Sequence, residues 1–180
     1  MRIERSTSDK LRIVGAPSLD PIIVYVDEAG PGAGGITLTC YGKAWTAFWG
    51  NHASANVPAF LAVASNDYLV KCLDQGIEAQ IMDPHGAHKK ALGEVLRQRR
   101  ARQLTKDQAY QQYWQLEDLY IEDDPWRQPA VMQKLLGEDW VSAMPMMPNP
   151  DYVYLTRIVA AVGEALVAEC PVPTGERIDG

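Results

Sequence analysis

The 180-residue chain is short of the side chains that build reactive or cross-linked centres: three cysteines, three histidines and two phenylalanines. Cys40, Cys72 and Cys170 are odd in number and far apart, which argues against a disulfide scaffold and fits a reducing cytoplasm. No apolar stretch approaches ~18 residues without a charge, so no membrane span is expected. The opening MRIERSTSDK is charged from its second residue and has no apolar segment of the secretory kind. GxSxG, HExxH and a paired Cys–His signature are missing, as are internal repeats and low-complexity tracts.

What is present is ordinary for a folded chain: 47% hydrophobic and 22% charged residues, so disorder as the overall state is not expected. The net charge of −6 is unevenly spread. The first 75 residues are close to balanced, residues 76–110 are basic, and the remainder is strongly acidic. Such segregation makes either an internally paired surface or two separate recognition faces.

The run Pro21–Gly50 organises the N-terminal half. Ile22–Asp27, Ile36–Tyr41 and Ala44–Trp49 are rich in β-branched and aromatic residues and read as strands. Glu28–Gly35 reads as an irregular glycine–proline connection, and Gly42–Lys43 as a second, short turn. Alternation puts Thr37, Thr39 and Tyr41 on one face and Ile36, Leu38 and Cys40 on the other. Residues 2–5 and 11–14 are further candidate strands. Pro58 opens a short helix over Ala59–Ala64, and Ser65 or Asn66 caps a second over Asp67–Asp74. Ile77–Gly86 reads as irregular, followed by an arginine-rich helix over Ala87–Leu104. Thr105 and Gln108 form a capping box for the next helix, whose Ala109, Tyr113, Leu116 and Tyr120 make a stripe suited to packing. Asp124–Pro125 starts another short helix, and Met144–Pro150 is a stiff, extended connection. The clearest helix is capped by Asp151, with Leu155, Ile158, Val159, Val162 and Leu166 along one side. Gly163 within it suggests close approach of another backbone.

The predicted fold is α+β: an antiparallel β-meander covered by helices, including the long C-terminal one, with a helical insertion. Residues 1–76 with 151–170 form the core domain, 77–150 a helical excursion or lobe, and 171–180 a tail.

The glycine run at 30–35 fails as a phosphate loop, because a strand follows it and no lysine lies within it. Asp83, His85 and His88, with Cys72 or Glu78, are candidate ligands for a zinc site, but no CxxC-like second pair completes the set. Asp27, Glu28 and His52 stand where strand ends could meet, which is the least that acid–base chemistry requires. The strongest recognition candidate is the basic cluster Lys89, Lys90, Arg97, Arg99, Arg100, Arg102 and Lys106, with Tyr110, Tyr113 and Trp114 nearby. It suits phosphates with base stacking, an acidic protein surface, or the chain's own acidic run at Glu117, Asp118 and Glu122–Asp124. Trp45 and Trp49 share a strand face, which is an interface if uncovered and a core if covered.

Gly34–Gly50, Asn66–Leu69, Gly137–Trp140 and Pro148–Leu166 resemble a family of small proteins of temperate phages and prophages of enteric bacteria. The resemblance is spread over most of the chain and brings no catalytic residue with it. It implies a bacterial cytoplasmic setting and a host-facing or DNA-metabolism role. The expected function is therefore a non-enzymatic accessory protein without cofactor, binding a host or phage protein in a takeover or anti-defence role. The alternatives are a nucleic-acid-binding protein using the basic helix and, third, a small metal-dependent hydrolase.

Overall fold

Four antiparallel strands follow one another in chain order across a single sheet: β1 (Asp9–Ile13), β2 (Ile22–Gly30), β3 (Ala33–Cys40) and β4 (Lys43–Trp49). The computed structural model describes residue 3, residues 6–121 and residues 129–169. The candidate strand at 2–5 apart from Ile3, which is not in a strand, the acidic run Glu122–Asp124 with the helix start at Asp124–Pro125, Cys170 and the tail lie outside the described residues. The chain divides into two units, Met1–Glu78 with Pro150–Gly180, and Ala79–Asn149.

In the first unit the alternation along each strand sorts the faces as expected. Ile22, Val24 and Val26 of β2, Ile36, Leu38 and Cys40 of β3, and Ala47 and Trp49 of β4 are buried together. Three helices cover them: α1 (Val57–Val63), α2 (Asn66–Leu73) and, from the far end of the chain, α6 (Pro150–Glu169). The apolar stripe of α6, Leu155, Ile158, Val159, Val162 and Leu166, is wholly buried in this core. Asn56 caps α1, its side chain accepting from Ala59 N at 2.8 Å, and Ser65 caps α2. The opposite face of the sheet, with Thr37 and Thr46 hydrogen-bonded across strands at 3.0 Å, is open.

Several boundaries differ from expectation for identifiable reasons. The glycine stretch is mostly strand, because β2 runs to Gly30 and β3 resumes at Ala33 around a two-residue Pro31–Gly32 turn. Proline at the first corner and Gly32 with φ +70° at the second suit a type II turn. Gly34 is glycine for space: a Cβ there would stand 2.4 Å from Asp27 O and 2.5 Å from Val57 Cγ2. The second turn is Tyr41–Gly42, both with positive φ, a type I′ hairpin that matches strand twist. Gly163, in contrast, has no neighbouring atom within 4 Å of where a Cβ would stand, so close backbone approach does not explain it. Asp151 sits in the first turn of α6 and accepts from Lys43 Nζ at 2.9 Å, an exposed pair worth at most about 1 kcal/mol.

In the second unit, β5 (Gln80–Met82) and β6 (Met146–Pro148) pair antiparallel, so both segments read as irregular or merely extended are a short ribbon. Asn149 N–H donates to Ala79 O at 3.0 Å and closes it. Between them lie α3 (Pro84–Arg100), α4 (Lys106–Ile121) and α5 (Pro129–Leu136). Ala87, Ala91, Val95, Leu116, Met132, Trp140 and Met144 form a second core. Here α3 begins at Pro84 rather than Ala87, because Asp83 caps it through Gly86 N at 2.9 Å.

Candidate interaction surface

The small residues Ala87, Ala91 and Val95 recur every fourth position and turn one side of α3 inward. The cations are thereby sent outward, and they separate into two groups. Arg97 grips Glu94 with both ends of its guanidinium, Nε to Oε2 at 2.7 Å and Nη2 to Oε1 at 2.6 Å. These hydrogen bonds, with one from Gln98, hold the Glu94 carboxyl at about 2 and push Arg97 upward. Lys90 Nζ donates to Ala143 O, and Arg99 Nη1 to Leu104 O at 3.4 Å. Lys89, Arg100, Arg102 and Lys106 are exposed and, among the described residues, no ion pair reaches them. Only this second group is a free basic surface.

The expected capping box starts α4: Thr105 Oγ1 accepts from Gln108 N, and Gln108 Oε1 from Thr105 N. Of its expected stripe Leu116 is buried and Ala109 packs beside it, with Gln112 the other inward residue, whereas Tyr113 is not buried. Tyr110 and Trp114 are 63% and 51% exposed, and Tyr113 is also exposed. Their rings meet edge to face, with centroids 5.9 Å apart for Tyr110–Trp114 and for Tyr113–Trp114. Lys106 lies one turn before Tyr110, which lies one turn before Trp114, so a cation and the aromatics share a stripe. The charge of Glu117, with hydrogen bonding to it, raises the Tyr113 pKa. Glu117 also lies 3.6 Å from His88 Nε2. Periodicity alone misplaced these rings; the signal that could have found them is the polar Gln108, Gln111 and Gln115 around a stripe too wide for one neighbour.

The other candidates do not assemble. Asp83 is a helix cap, His88 belongs to the Glu117 pair, and His85 is exposed on α3. Among the described residues no three His, Cys, Asp or Glu converge as a metal set would. Asp27 and Glu28 are strand neighbours and point to opposite faces: Glu28 Oε1 accepts from Val57 N at 2.8 Å, while Asp27 is on the open face. His52 is 8% exposed, stacked on Phe60 at 5.1 Å, and bonded through its backbone to Gly32 O at 2.6 Å. No hydrogen bond or ion pair joins any two of Asp27, Glu28 and His52 among the described residues, so no acid–base pair forms there. The face carrying Trp45 and Trp49 is covered: Trp49 is 7% exposed and packs on Phe60 at 5.0 Å, and Trp45 lies against Tyr154. Trp49 is core, and Trp45 is half-buried against it.

A protein-family model described as a phage family, Phage_phiTE_072, matches residues 1–168. The chain belongs to that phage family. The match spans both units, so the meander and the α3–α4 hairpin are parts of one phage protein. No curated protein and no solved structure matches the phage protein. None of its described helices is long and apolar enough to cross a membrane.

Proposed function

We propose that the phage protein is a non-enzymatic accessory protein, acting in the bacterial cytoplasm, that binds a host or phage protein through an acidic surface of that partner. The supporting observation is the exposed Tyr110–Tyr113–Trp114 cluster in line with Lys106. Tyrosine, tryptophan and arginine are the residue types that dominate binding hot spots, the rings because they bury large area at low entropic cost and arginine because its planar fork matches a carboxylate. The exposed Arg100, at the end of α3, and Arg102, in the connection that follows, supply charge that an acidic partner neutralises. A takeover or anti-defence role in a temperate phage of enteric bacteria is the setting its sequence resembles. Capture from infected host cells with wild type and with Trp114→Ala/Arg100→Ala/Arg102→Ala tests this reading. The wild type retains a specific protein that the variant loses; equal capture by both removes the role given to this surface.

A second reading rests on the same exposed rings: stacking of single-stranded nucleic acid, worth about 1–3 kcal/mol per base. Titration of Trp114 fluorescence with an oligonucleotide separates the two. Phosphate contacts weaken affinity by about 0.7 log unit per log unit of salt for each phosphate neutralised on a single strand. Absence of quenching at low salt leaves the protein-binding reading alone.

A further inference from the structure

The two edges of the four-stranded sheet are built differently. β1, at one edge, carries Asp9, Lys10 and Arg12 within five residues, the charge pattern that keeps an edge from pairing with another chain. β4, at the other, reads Lys-Ala-Trp-Thr-Ala-Phe-Trp, with no charge after Lys43, no proline and no bulge. Lys43 itself is occupied by Asp151.

The hydrogen-bonding phase of β4 follows from its turn. A two-residue hairpin loop makes the flanking Cys40 and Lys43 a hydrogen-bonded pair, so Lys43, Trp45, Ala47 and Trp49 direct their backbone groups at β3. Ala44, Thr46 and Phe48 therefore present N–H and C=O at the free edge. All three are exposed, Phe48 at 63%, and among the described residues no backbone hydrogen bond outside the sheet reaches them.

We infer that this edge is a self-association surface, on which a second copy of the chain lays its own β4 antiparallel about a two-fold axis through Thr46. The strand is complementary to itself in that register. Ala44 falls opposite Phe48 of the second copy, Trp45 opposite Ala47, Thr46 opposite Thr46, and Lys43 opposite Trp49. Every bulky ring meets a small residue except at the ends, where an ammonium meets an indole. Residues opposite one another share a face, so buried faces continue into buried faces and open into open. The outward pairs Ala44–Phe48, Thr46–Thr46 and Phe48–Ala44 are all of the hydrogen-bonded type, and the four strands become eight. An isologous contact of this kind closes on itself and does not propagate. The inference does not rest on the α3–α4 surface.

Sedimentation of the full chain over the micromolar to millimolar range tests the inference, with amide hydrogen exchange alongside. The wild type forms a dimer in which the amides of Ala44, Thr46 and Phe48 exchange slowly and speed up on dilution. Thr46→Pro removes the central edge donor and spares the backbone ladder to β3, losing only the Thr46 hydroxyl bonds to Thr37 and Ile36. Thr46→Lys, which loses the same bonds, sets two like charges face to face; each yields a folded monomer. A wild type that stays monomeric, a dimer that survives both substitutions, or a dimer whose three edge amides exchange freely overturns it.

Discussion

The backbone N–H of Val57 donates to Glu28 Oε1 at 2.8 Å, which fastens the start of α1 to the far end of β2. Helix N-termini leave N–H groups unpaired, and a carboxylate there also meets the positive end of the helix dipole. Glu28→Ala should therefore cost about 1 kcal/mol, within the ~0.5–2 kcal/mol typical of a lost cap, and Glu28→Gln less because it keeps an acceptor. Urea denaturation with unchanged slope measures both. Equal stability of Glu28→Ala and wild type would refute the tie.

Two glycines should respond in opposite directions to the same substitution. At Gly34 a methyl group meets the Asp27 carbonyl and the Val57 side chain at distances no real contact shows, so Gly34→Ala should destabilise by about 1–3 kcal/mol. At Gly163 nothing stands in the way, and Gly163→Ala should stabilise α6 by up to about 1 kcal/mol. Thermal melts of the two variants against wild type decide it.

The Glu94–Arg97 pair should be visible in acid. Its hydrogen bonds from Arg97 and then Gln98 hold the Glu94 carboxyl at about 2. A carboxyl whose folded value is lowered contributes stability that is complete above its unfolded value near 4.5 and lost as pH falls toward 2. Carboxyl-carbon NMR titration of Glu94 should show that low midpoint, and Arg97→Ala should move it upward. A midpoint in the ordinary range in wild type contradicts the bidentate geometry.

The fold was largely legible because its dominant signals are periodic. Alternation over Ile22–Val26 and Ile36–Cys40, and the spacing from Leu155 to Leu166, each report a face buried against a neighbour. What escaped notice depends on partners far along the chain. Gly34 and Gly35 read as turn residues, since only the approach of Val57 and of Ala47 O shows that they are strand positions without room for a side chain. The β5–β6 ribbon is three residues on each side and contains a proline, too short for alternation to register. On α4 the stripe was right for Leu116 and Ala109 and wrong for Tyr113: rings usually bury, yet Gln112 takes the other inward position and Tyr110, Tyr113 and Trp114 face out. The cationic cluster was legible as composition; which of its members are already occupied, Arg97 above all, depends on side-chain geometry.

At the other end of the pH scale, Tyr154 should titrate late. Its hydroxyl lies 3.3 Å from Cys40 Sγ, and that hydrogen bond, with desolvation behind it, pushes the phenol to about 12. A group whose folded value is raised contributes stability that is complete below its unfolded value near 10 and lost as pH rises toward 12. Ultraviolet difference titration should show a late-ionising phenol fraction, and Cys40→Ala should make that fraction smaller by bringing Tyr154 forward. The same late fraction in Cys40→Ala would assign the shift elsewhere.

The hydrogen bond from Asn149 N–H to Ala79 O brings the entrance and the exit of the helical insertion side by side. For the meander and α6, everything between those two residues is topologically a hairpin loop, however much it contains. Such an arrangement asks of the chain on either side only that it present two neighbouring ends, whatever length lies between them.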